Sequence, residues 1–554
     1  MAKTDNLTDF LTDVANAIRD KKGVTNLINP QDFSSEIASI ESGGVAPEGT
    51  LDITVNGVYD VTTYSEANVN VPMEGDAAFY LPLIDGTASA FTDTLGLLKS
   101  VKPYAFYSSS RFRSFDAVNC EYVGQSAFNG CSALTSINIP NCSQVADGAF
   151  AQTKLFGDLN LSKCTYVGQS AFTAIYTSSA LRVSLPECTN LGSHAFRGCS
   201  SLTNVYIPKV SKIGVQTFYY AYGLTSLDAP ACSSVENAAF YFCRDLKSVS
   251  LPECSIINTS GFVSCPNLLQ VYIPKCKSIY QMAFQSCTKL SSVFMSECVS
   301  IGDSAFNNTA LAGEIILPKC ERISATAFYG TKITKLDLPA CSSVSMNAFM
   351  YCTSLTDVNL PLLTYLSKSV FAQCHSLQNI SFPAVATVGN QAFQSCSALK
   401  TVVLPCTSIS SSAFQYCSEL TEVHLPECTF LNQYIFYSCQ KLGVVSIPKV
   451  STIMSGTFGS NRTLSSIHMP MCTRLQGNAF EDCRALHTVV LSGDVVASRN
   501  NPNTFTNTPM TNSTYLGYFG SVYVPTSLVE TYKTAAYWST ISDRITSIDN
   551  LPTT

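Results

Sequence analysis

The 554-residue sequence is poor in charge, in histidine and in tryptophan. Charged residues make up 13% of the chain and the net charge is −6, so a basic surface for nucleic acid is not expected. The five histidines are scattered, and no Ser/His/Asp set, phosphate-binding loop or close carboxylate pair stands out. We therefore expect a protein that is not an enzyme, with no catalytic residue, no cofactor and no metal ion.

The sequence also lacks the long apolar segments that membranes require. It has no run of about 18 apolar residues, so no membrane span is expected. Its first residues lead into a polar amphipathic segment instead of an apolar signal-peptide core, so no secretory signal is expected. Low charge with many Ser, Thr and Asn residues suits an extracellular surface or a virion, and release of a virion by lysis needs no signal.

One pattern fills most of the chain. Phenylalanine recurs at nineteen positions, and fourteen of the eighteen gaps between them are 22 residues long. The positions are Phe106, Phe128, Phe150, Phe172, Phe196, Phe218, Phe240, Phe262, Phe284, Phe306, Phe328, Phe349, Phe371, Phe393, Phe414, Phe436, Phe458, Phe480 and Phe505. A period in this range predicts a solenoid of leucine-rich repeats.

Each repeat carries a short strand with one buried face. In one copy Val205 and Ile207 alternate with an outward residue, and Pro208 then ends the strand because proline cannot donate a ladder hydrogen bond. An aliphatic residue such as Ile213 lies five positions before the phenylalanine. One such unit cannot enclose a core, whereas stacked units bury each other's apolar edges.

The 24 cysteines follow the same period. Thirteen lie just after the strand: Cys120, Cys142, Cys164, Cys188, Cys232, Cys254, Cys276, Cys298, Cys320, Cys341, Cys406, Cys428 and Cys472. Eleven lie three residues after the phenylalanine: Cys131, Cys199, Cys243, Cys265, Cys287, Cys352, Cys374, Cys396, Cys417, Cys439 and Cys483. Because other repeats place Ser, Thr, Ala or Val there, reduced packing is the favoured interpretation. Disulfides between adjacent coils and metal binding are the alternatives.

The chain divides into four predicted regions. Residues 1–45 read as two amphipathic helices for attachment or oligomerisation, with a cap on the next domain as the alternative; residues 46–75 read as a small β module with a hairpin at Asn56-Gly57. Residues 76–520 are the solenoid with its N-terminal cap, and residues 521–554 are a C-terminal cap of a strand plus a helix over 526–537. The fold class expected is therefore an α/β solenoid. The proposed attachment residues are Phe10, Leu11, Val14, Ile18, Phe33 and Ile37.

The repeat resembles the BspA-like leucine-rich repeat. The matching stretches include Ile301-Gly302-Asp303-Ser304-Ala305-Phe306 and Ala195-Phe196-Arg197-Gly198-Cys199-Ser200-Ser201-Leu202. The N-terminal stretches Leu11-Thr12-Asp13-Val14-Ala15-Asn16-Ala17-Ile18-Arg19 and Gly57-Val58-Tyr59-Asp60-Val61 resemble modules of phage and prophage virion proteins. The first resemblance implies a binding scaffold, often an adhesin, and the second implies attachment to a particle.

Exposed aromatic side chains are the candidate ligand-binding residues. The outward strand positions form one series along the solenoid, which includes Tyr206, Tyr272 and Phe294. A second group, Tyr219, Tyr220 and Tyr222 with Tyr241 and Phe242 in the next repeat, follows the repeat phenylalanine. Aromatic rings beside Asn and Asp suit sugar stacking or protein contact. The alternative is that these rings only cover neighbouring strands.

Three functions fit these observations. The first is a non-enzymatic phage virion appendage of the tail-fibre type, which contacts other virion proteins through its N-terminus and a host surface glycan or protein through its solenoid. The second is a surface adhesin of a bacterium or protist. The third is an architectural collar or capsid fibre without a receptor. Whether the chain forms a homo-oligomer is left open by the sequence.

Overall fold

The computed structural model describes residues 50–53, 66–69, 90–93 and 98–552. These residues form a parallel β-solenoid of leucine-rich repeats with about 21 turns. They divide into two compact units, one reaching Cys254 and including Gly261–Leu268, the other comprising Ser255–Ser260 and the residues from Leu269 onward. We call each turn of the solenoid a coil, and the equivalent positions of successive coils a column.

Almost every coil contributes one longer strand to a parallel sheet; the coil around Leu377 and Phe382 has none. In the first unit these strands are Thr50–Ile53, Glu66–Val69, Ala90–Thr92, Ser114–Asp116, Ser136–Asn138, Gly157–Asn160, Leu181–Ser184, Leu202–Tyr206, Ser226–Asp228 and Ser248–Ser250. In the second they are Gln270–Tyr272, Ser292–Phe294, Ala312–Ile316, Lys332–Asp337, Asp357–Asn359, Thr401–Val403, Glu422–His424, Val444–Ser446, Ser466–His468, Thr488–Val490, Ser521–Val524 and Ile545–Ser547.

From Ser100 to Arg499 the coils also carry a second, two-residue strand on another side. In the first unit these strands are Ser100–Val101, Tyr122–Val123, Gln144–Val145, Tyr166–Val167, Asn190–Leu191, Lys212–Ile213 and Ser234–Val235. In the second they are Ile256–Ile257, Ser278–Ile279, Ser300–Ile301, Arg322–Ile323, Ser343–Val344, Tyr365–Leu366, Thr387–Val388, Ser408–Ile409, Phe430–Leu431, Thr452–Ile453, Arg474–Leu475 and Ser498–Arg499.

The strands pair in the register of the repeat, so equivalent residues stack. Val183 pairs with Val205, and Val205 pairs with Leu227, and all three are buried. The residues between them point outward because side chains alternate along a strand. The core is therefore a set of stacked columns, as the sequence pattern predicts.

The repeat phenylalanines form the central column of that core. Phe128 is fully buried, and its ring stacks nearly parallel on Phe106 at 4.9 Å and on Phe150 at 5.1 Å. In the second unit the same stacking joins Phe458 to Phe480 at 5.5 Å. Burying each such ring contributes about 1.5–3 kcal/mol, so this column is a major part of the hydrophobic stabilisation.

The backbone around each phenylalanine alternates in handedness. Ser126 has φ 51° and Gly130 has φ 76°, two residues before and after Phe128, and this pair of positive φ values recurs along the solenoid. Alternate N–H groups then reach the next coil: the Phe128 N–H donates to the Ala149 carbonyl at 2.7 Å. A segment with two left-handed residues four positions apart cannot be an α-helix.

This turn geometry corrects the α/β label. The helical structure in the described residues is one six-residue α-helix, Val529–Thr534, with short 3-10 segments. The 3-10 segments are Pro502–Phe505, Ser513–Tyr515, Thr526–Leu528, Ser539–Arg544 and Ile548–Asn550. Within these residues no helix has the length and apolar content that crossing a bilayer requires. The fold is a β-solenoid with little helix, and the two helices predicted in residues 1–45 lie outside the described residues.

The strands described before residue 76 pair in parallel. Thr50–Ile53 pairs in parallel with Glu66–Val69, which in turn pairs in parallel with Ala90–Thr92. The hairpin predicted at Asn56-Gly57 and its second strand lie outside the described residues, so the hairpin stays a prediction. The division of the chain at residues 46, 76 and 521 stays a prediction.

All 24 cysteines are free thiols in the interior, as the packing interpretation requires. In the column after the phenylalanine, the Cys199 thiol donates to the Phe172 carbonyl of the preceding coil at 2.7 Å. In the other column, Cys164 donates to the Tyr166 carbonyl. Burial raises the pKa of the Cys199 thiol to about 12, so the reactive thiolate is suppressed.

The last coil is covered by the C-terminal segment. Trp538 is fully buried, and its indole N–H donates to the Ala497 carbonyl at 2.6 Å. The Arg499 guanidinium donates to the carbonyls of Tyr537 and Pro502 and lies 5.0 Å from the Trp538 ring. Burial lowers the pKa of Arg499 to about 10. The α-helical part is shorter than the 526–537 segment expected from the apolar spacing.

Candidate functional site

Four neighbouring strands of the first unit form a groove on their outward side. The groove has a volume of about 460 Å³. We call it the strand groove; its outward side chains are Asp158, Asn160, Arg182, Ser184, Asn204, Tyr206, Ser226 and Asp228. Because the inward residues of the same strands form the core, these outward positions are free to vary without changing the fold.

The strand groove combines one exposed ring with many hydrogen-bonding groups. The Tyr206 side chain is 43% exposed, and its neighbours in the same column are Ser184 and Asp228. The Asn204 amide donates to the Ser226 hydroxyl at 2.6 Å. The arrangement offers an aromatic ring for stacking, surrounded by hydrogen-bond donors and acceptors. This combination suits a hydroxyl-rich ligand.

The strand groove contains one ion pair. The Arg182 guanidinium lies 3.1 Å from the Asp158 carboxylate, and both side chains are largely exposed. An exposed pair of this kind contributes little to stability. The pair therefore mainly presents charged hydrogen-bonding groups at the surface of the groove.

Tyr272 and Phe294 form a second exposed aromatic feature, in the second unit. Their strands place them in register, and their rings stack at 5.2 Å with an interplanar angle of 12°. Both are about half exposed, at 46% and 52%, and Ile316 in the same column is also exposed. The structure thus brings Tyr272 and Phe294 together, while Tyr206 belongs to the other unit.

The predicted residues after Phe218 also come together. Tyr219 and Tyr220 have ring centroids 4.3 Å apart, and Tyr220 and Tyr222 lie 5.5 Å apart. A hydrogen bond with the Tyr220 hydroxyl, with burial second, raises the pKa of Tyr219 to about 12. None of these rings contacts Tyr206 within the part of the chain that the structure describes, so they form a separate feature.

The attachment residues and the scattered histidines are the remaining positions considered in the sequence. The attachment residues Phe10, Leu11, Val14, Ile18, Phe33 and Ile37 lie outside the described residues. His424 Nε2 lies 3.6 Å from Glu422 Oε2, and His468 Nε2 is hydrogen-bonded to the Ser492 hydroxyl at 2.8 Å. Among the described residues no group of three or more His, Cys, Asp or Glu is placed to hold a metal ion.

Sequence reasoning missed the cations beside these rings. Arg182 faces the strand groove, and Arg197 and Arg244 lie against the rings that follow Phe218. The repeat itself contains the signal that would have found Arg197. Arg197 directly follows Phe196, just as Tyr219 directly follows Phe218. Aligning the outward columns by charge as well as by aromatic character would have found them.

Comparison with known families and structures adds the following. The profile of the BspA type leucine rich repeat region matches residues 99–225, 211–328, 277–400, 321–443 and 386–511, which together exceed half of the chain. No curated protein matches the sequence.

Several solved leucine-rich-repeat structures are similar. A protein from Bacteroides ovatus is 19% identical, with 71% of this chain and 82% of that chain covered and a TM-score of 0.39. A protein from Eubacterium ventriosum is 21% identical, with 49% and 86% covered and a TM-score of 0.35. A leucine rich cell surface protein from Faecalibacterium prausnitzii is 22% identical, with 60% and 85% covered and a TM-score of 0.29.

Proposed function

Because this chain belongs to the BspA-type leucine-rich-repeat family, we propose that it is a non-enzymatic recognition protein whose solenoid binds a glycan or protein on a cell surface. The observation that carries the proposal is the strand groove with Tyr206 exposed at its surface. An aromatic ring at an outward position adds nothing to the core, since Ser184 fills the same column in the preceding coil. Exposed aromatic side chains that the fold does not require are typical of binding surfaces.

We further propose that the protein is carried on a phage particle and is held there through residues 1–45. The support is the resemblance of its N-terminal stretches to virion modules, together with the low charge of the chain. A cell-surface adhesin and a purely architectural fibre are the competing assignments. Mass spectrometry and immunogold labelling of purified particles test the location; absence of the chain from particles and its presence on cell surfaces would favour the adhesin.

Recognition by the strand groove is tested by glycan-array and whole-cell binding of the full chain. Tyr206→Ser and Arg182→Gln are expected to weaken binding at least about tenfold, the loss typical of removing one central contact. Tyr365→Ser is the matched control, because Tyr365 is an exposed strand tyrosine and Ser343 occupies its column in a neighbouring coil. Unchanged binding by Tyr206→Ser, or no binding by any form, would contradict recognition through this groove.

A further inference from the structure

A compact plate of five aromatic rings lies on the turn side of the first unit. We call it the turn plate; it consists of Tyr219, Tyr220, Tyr222, Tyr241 and Phe242. Tyr219 stacks on Tyr241 at 4.8 Å with an interplanar angle of 10°. Tyr220 meets Phe242 edge-on at 5.6 Å. Two successive coils thus supply one continuous aromatic surface, of which Tyr220 is the most exposed ring.

The fold does not require aromatic residues at these positions. The residue directly after the repeat phenylalanine is Asn129, Ala151 or Thr173 in other coils of the same unit. The next residue has a positive φ, and Gly130 or Gly198 occupies it elsewhere. Tyr220 and Phe242 both adopt φ 60° there, a conformation that costs a bulky residue energy and that glycine adopts freely. The backbone therefore does not select Tyr220 and Phe242, and the plate is not a requirement of the fold.

A guanidinium group lies at each end of the turn plate. Arg197 lies 5.4 Å from the Tyr219 ring centroid, one coil before it. Arg244 lies 4.6 Å from Tyr222 and 5.9 Å from Phe242. Neither guanidinium forms an ion pair with a carboxylate in the described part of the chain, whereas Lys209 pairs with Glu187 and Lys319 with Glu297. Stacking on a ring leaves guanidinium N–H donors free for an anion.

We propose that the turn plate binds a short acidic oligosaccharide, with the apolar faces of sugar rings stacked on the tyrosines and sugar carboxylates bound by Arg197 and Arg244. Unpaired cations at both ends favour a ligand with more than one carboxylate over a neutral glycan. A long polyanion such as nucleic acid is disfavoured, because the site has only two cations and the chain has a net charge of −6. This site is independent of the strand groove.

The test uses tetragalacturonate and its methyl ester, which differ in charge and share the same sugar rings. Calorimetry on the full chain is expected to show at least about tenfold tighter binding of the acid than of the ester, and the preference should weaken as salt is raised. Arg197→Gln with Arg244→Gln is expected to abolish that preference. Tyr219→Asn with Tyr220→Asn is expected to weaken binding of both probes; Asn129 and Asn308 occupy the same columns, so the fold tolerates this change.

The matched control is Tyr329→Asn with Tyr351→Asn. These tyrosines occupy the same columns in the second unit and meet edge-on at 5.4 Å, without a guanidinium over either ring among the described residues. The control and the groove variant Tyr206→Ser are both expected to leave tetragalacturonate binding unchanged. No binding of tetragalacturonate, equal affinity for the ester, equal affinity for tetraglutamate, or the same loss in the Tyr329/Tyr351 variant would each overturn the proposal.

Discussion

The interior and exterior columns of this solenoid obey different rules although they belong to the same coils. Inside, a phenylalanine recurs in every repeat, and the position three residues later is almost always Cys, Thr or another small residue that bonds a phenylalanine carbonyl, as Cys243 and Thr309 do. Outside, the column of Tyr206 changes from Asn160 to Ser184 to Asp228 over neighbouring coils. The interior is fixed because each coil must fit two identical neighbours, whereas the exterior contacts water and is free to carry function.

The largest expected effect is alkaline unfolding driven by the interior thiols. Burial raises the pKa of Cys352 and Cys396 from 9.0 to about 12, so stability that is complete below pH 9 is lost progressively between pH 9 and 12. Each such thiol lowers the free energy of unfolding by roughly 1 kcal/mol per pH unit in that range. Denaturant midpoints at pH 8 and 10.5 measure the loss.

The double variant Cys352→Thr with Cys396→Thr isolates the thiols from lysine and tyrosine titration. Thr331 occupies the same column and bonds the Phe328 carbonyl, so threonine fits there. The variant is expected to show a shallower loss of stability above pH 9 than the parent chain. Identical pH profiles for the two proteins would contradict the explanation.

Removing one interior ring should lower the free energy of unfolding far more than removing one exterior ring. Phe240 is fully buried between Phe218 and Phe262, at 5.1 and 4.7 Å, so Phe240→Ala is expected to cost about 3–5 kcal/mol. Tyr206→Ser is expected to stay within about 0.5 kcal/mol. Native-state hydrogen exchange of the surrounding coils measures both. Comparable losses in the two variants would show that the outward column also supports the fold.

The C-terminal cover of the last coil should show an intermediate effect. Trp538→Phe keeps an aromatic ring and removes the indole N–H that bonds the Ala497 carbonyl. Leaving that buried acceptor unpaired is expected to cost about 1–3 kcal/mol, measured by exchange of the Ala497 and Arg499 amides. Tyr518→Phe changes an exposed ring and serves as the control. Equal protection in both variants would contradict a capping role for the indole bond.

The smallest effect is expected for the exterior ion pairs between coils. Lys209 Nζ lies 2.6 Å from Glu187 Oε2, and both side chains are about half exposed. A double-mutant cycle with Lys209→Met and Glu187→Gln is expected to give a coupling of about 0.2–1 kcal/mol that falls with added salt. A salt-independent coupling above about 2 kcal/mol would place this pair with the interior contacts.

The sequence overestimated the helical content of the chain. The α/β label fails because the turn of each repeat holds left-handed residues, such as Ser126 and Gly130, and hydrogen bonds to the next coil. The predicted helix over 526–537 is α-helical only at Val529–Thr534, with a short 3-10 segment before it.

By itself the sequence determined the solenoid, its period and its interior columns, including the buried state of the cysteines. It could do so because interior contacts join equivalent positions and therefore repeat at one visible spacing. The tertiary structure alone decided which exterior side chains meet: Arg182 with Asp158, and Arg197 with Tyr219. These contacts join different residue types in different coils, and their geometry depends on side-chain direction, which no periodicity records.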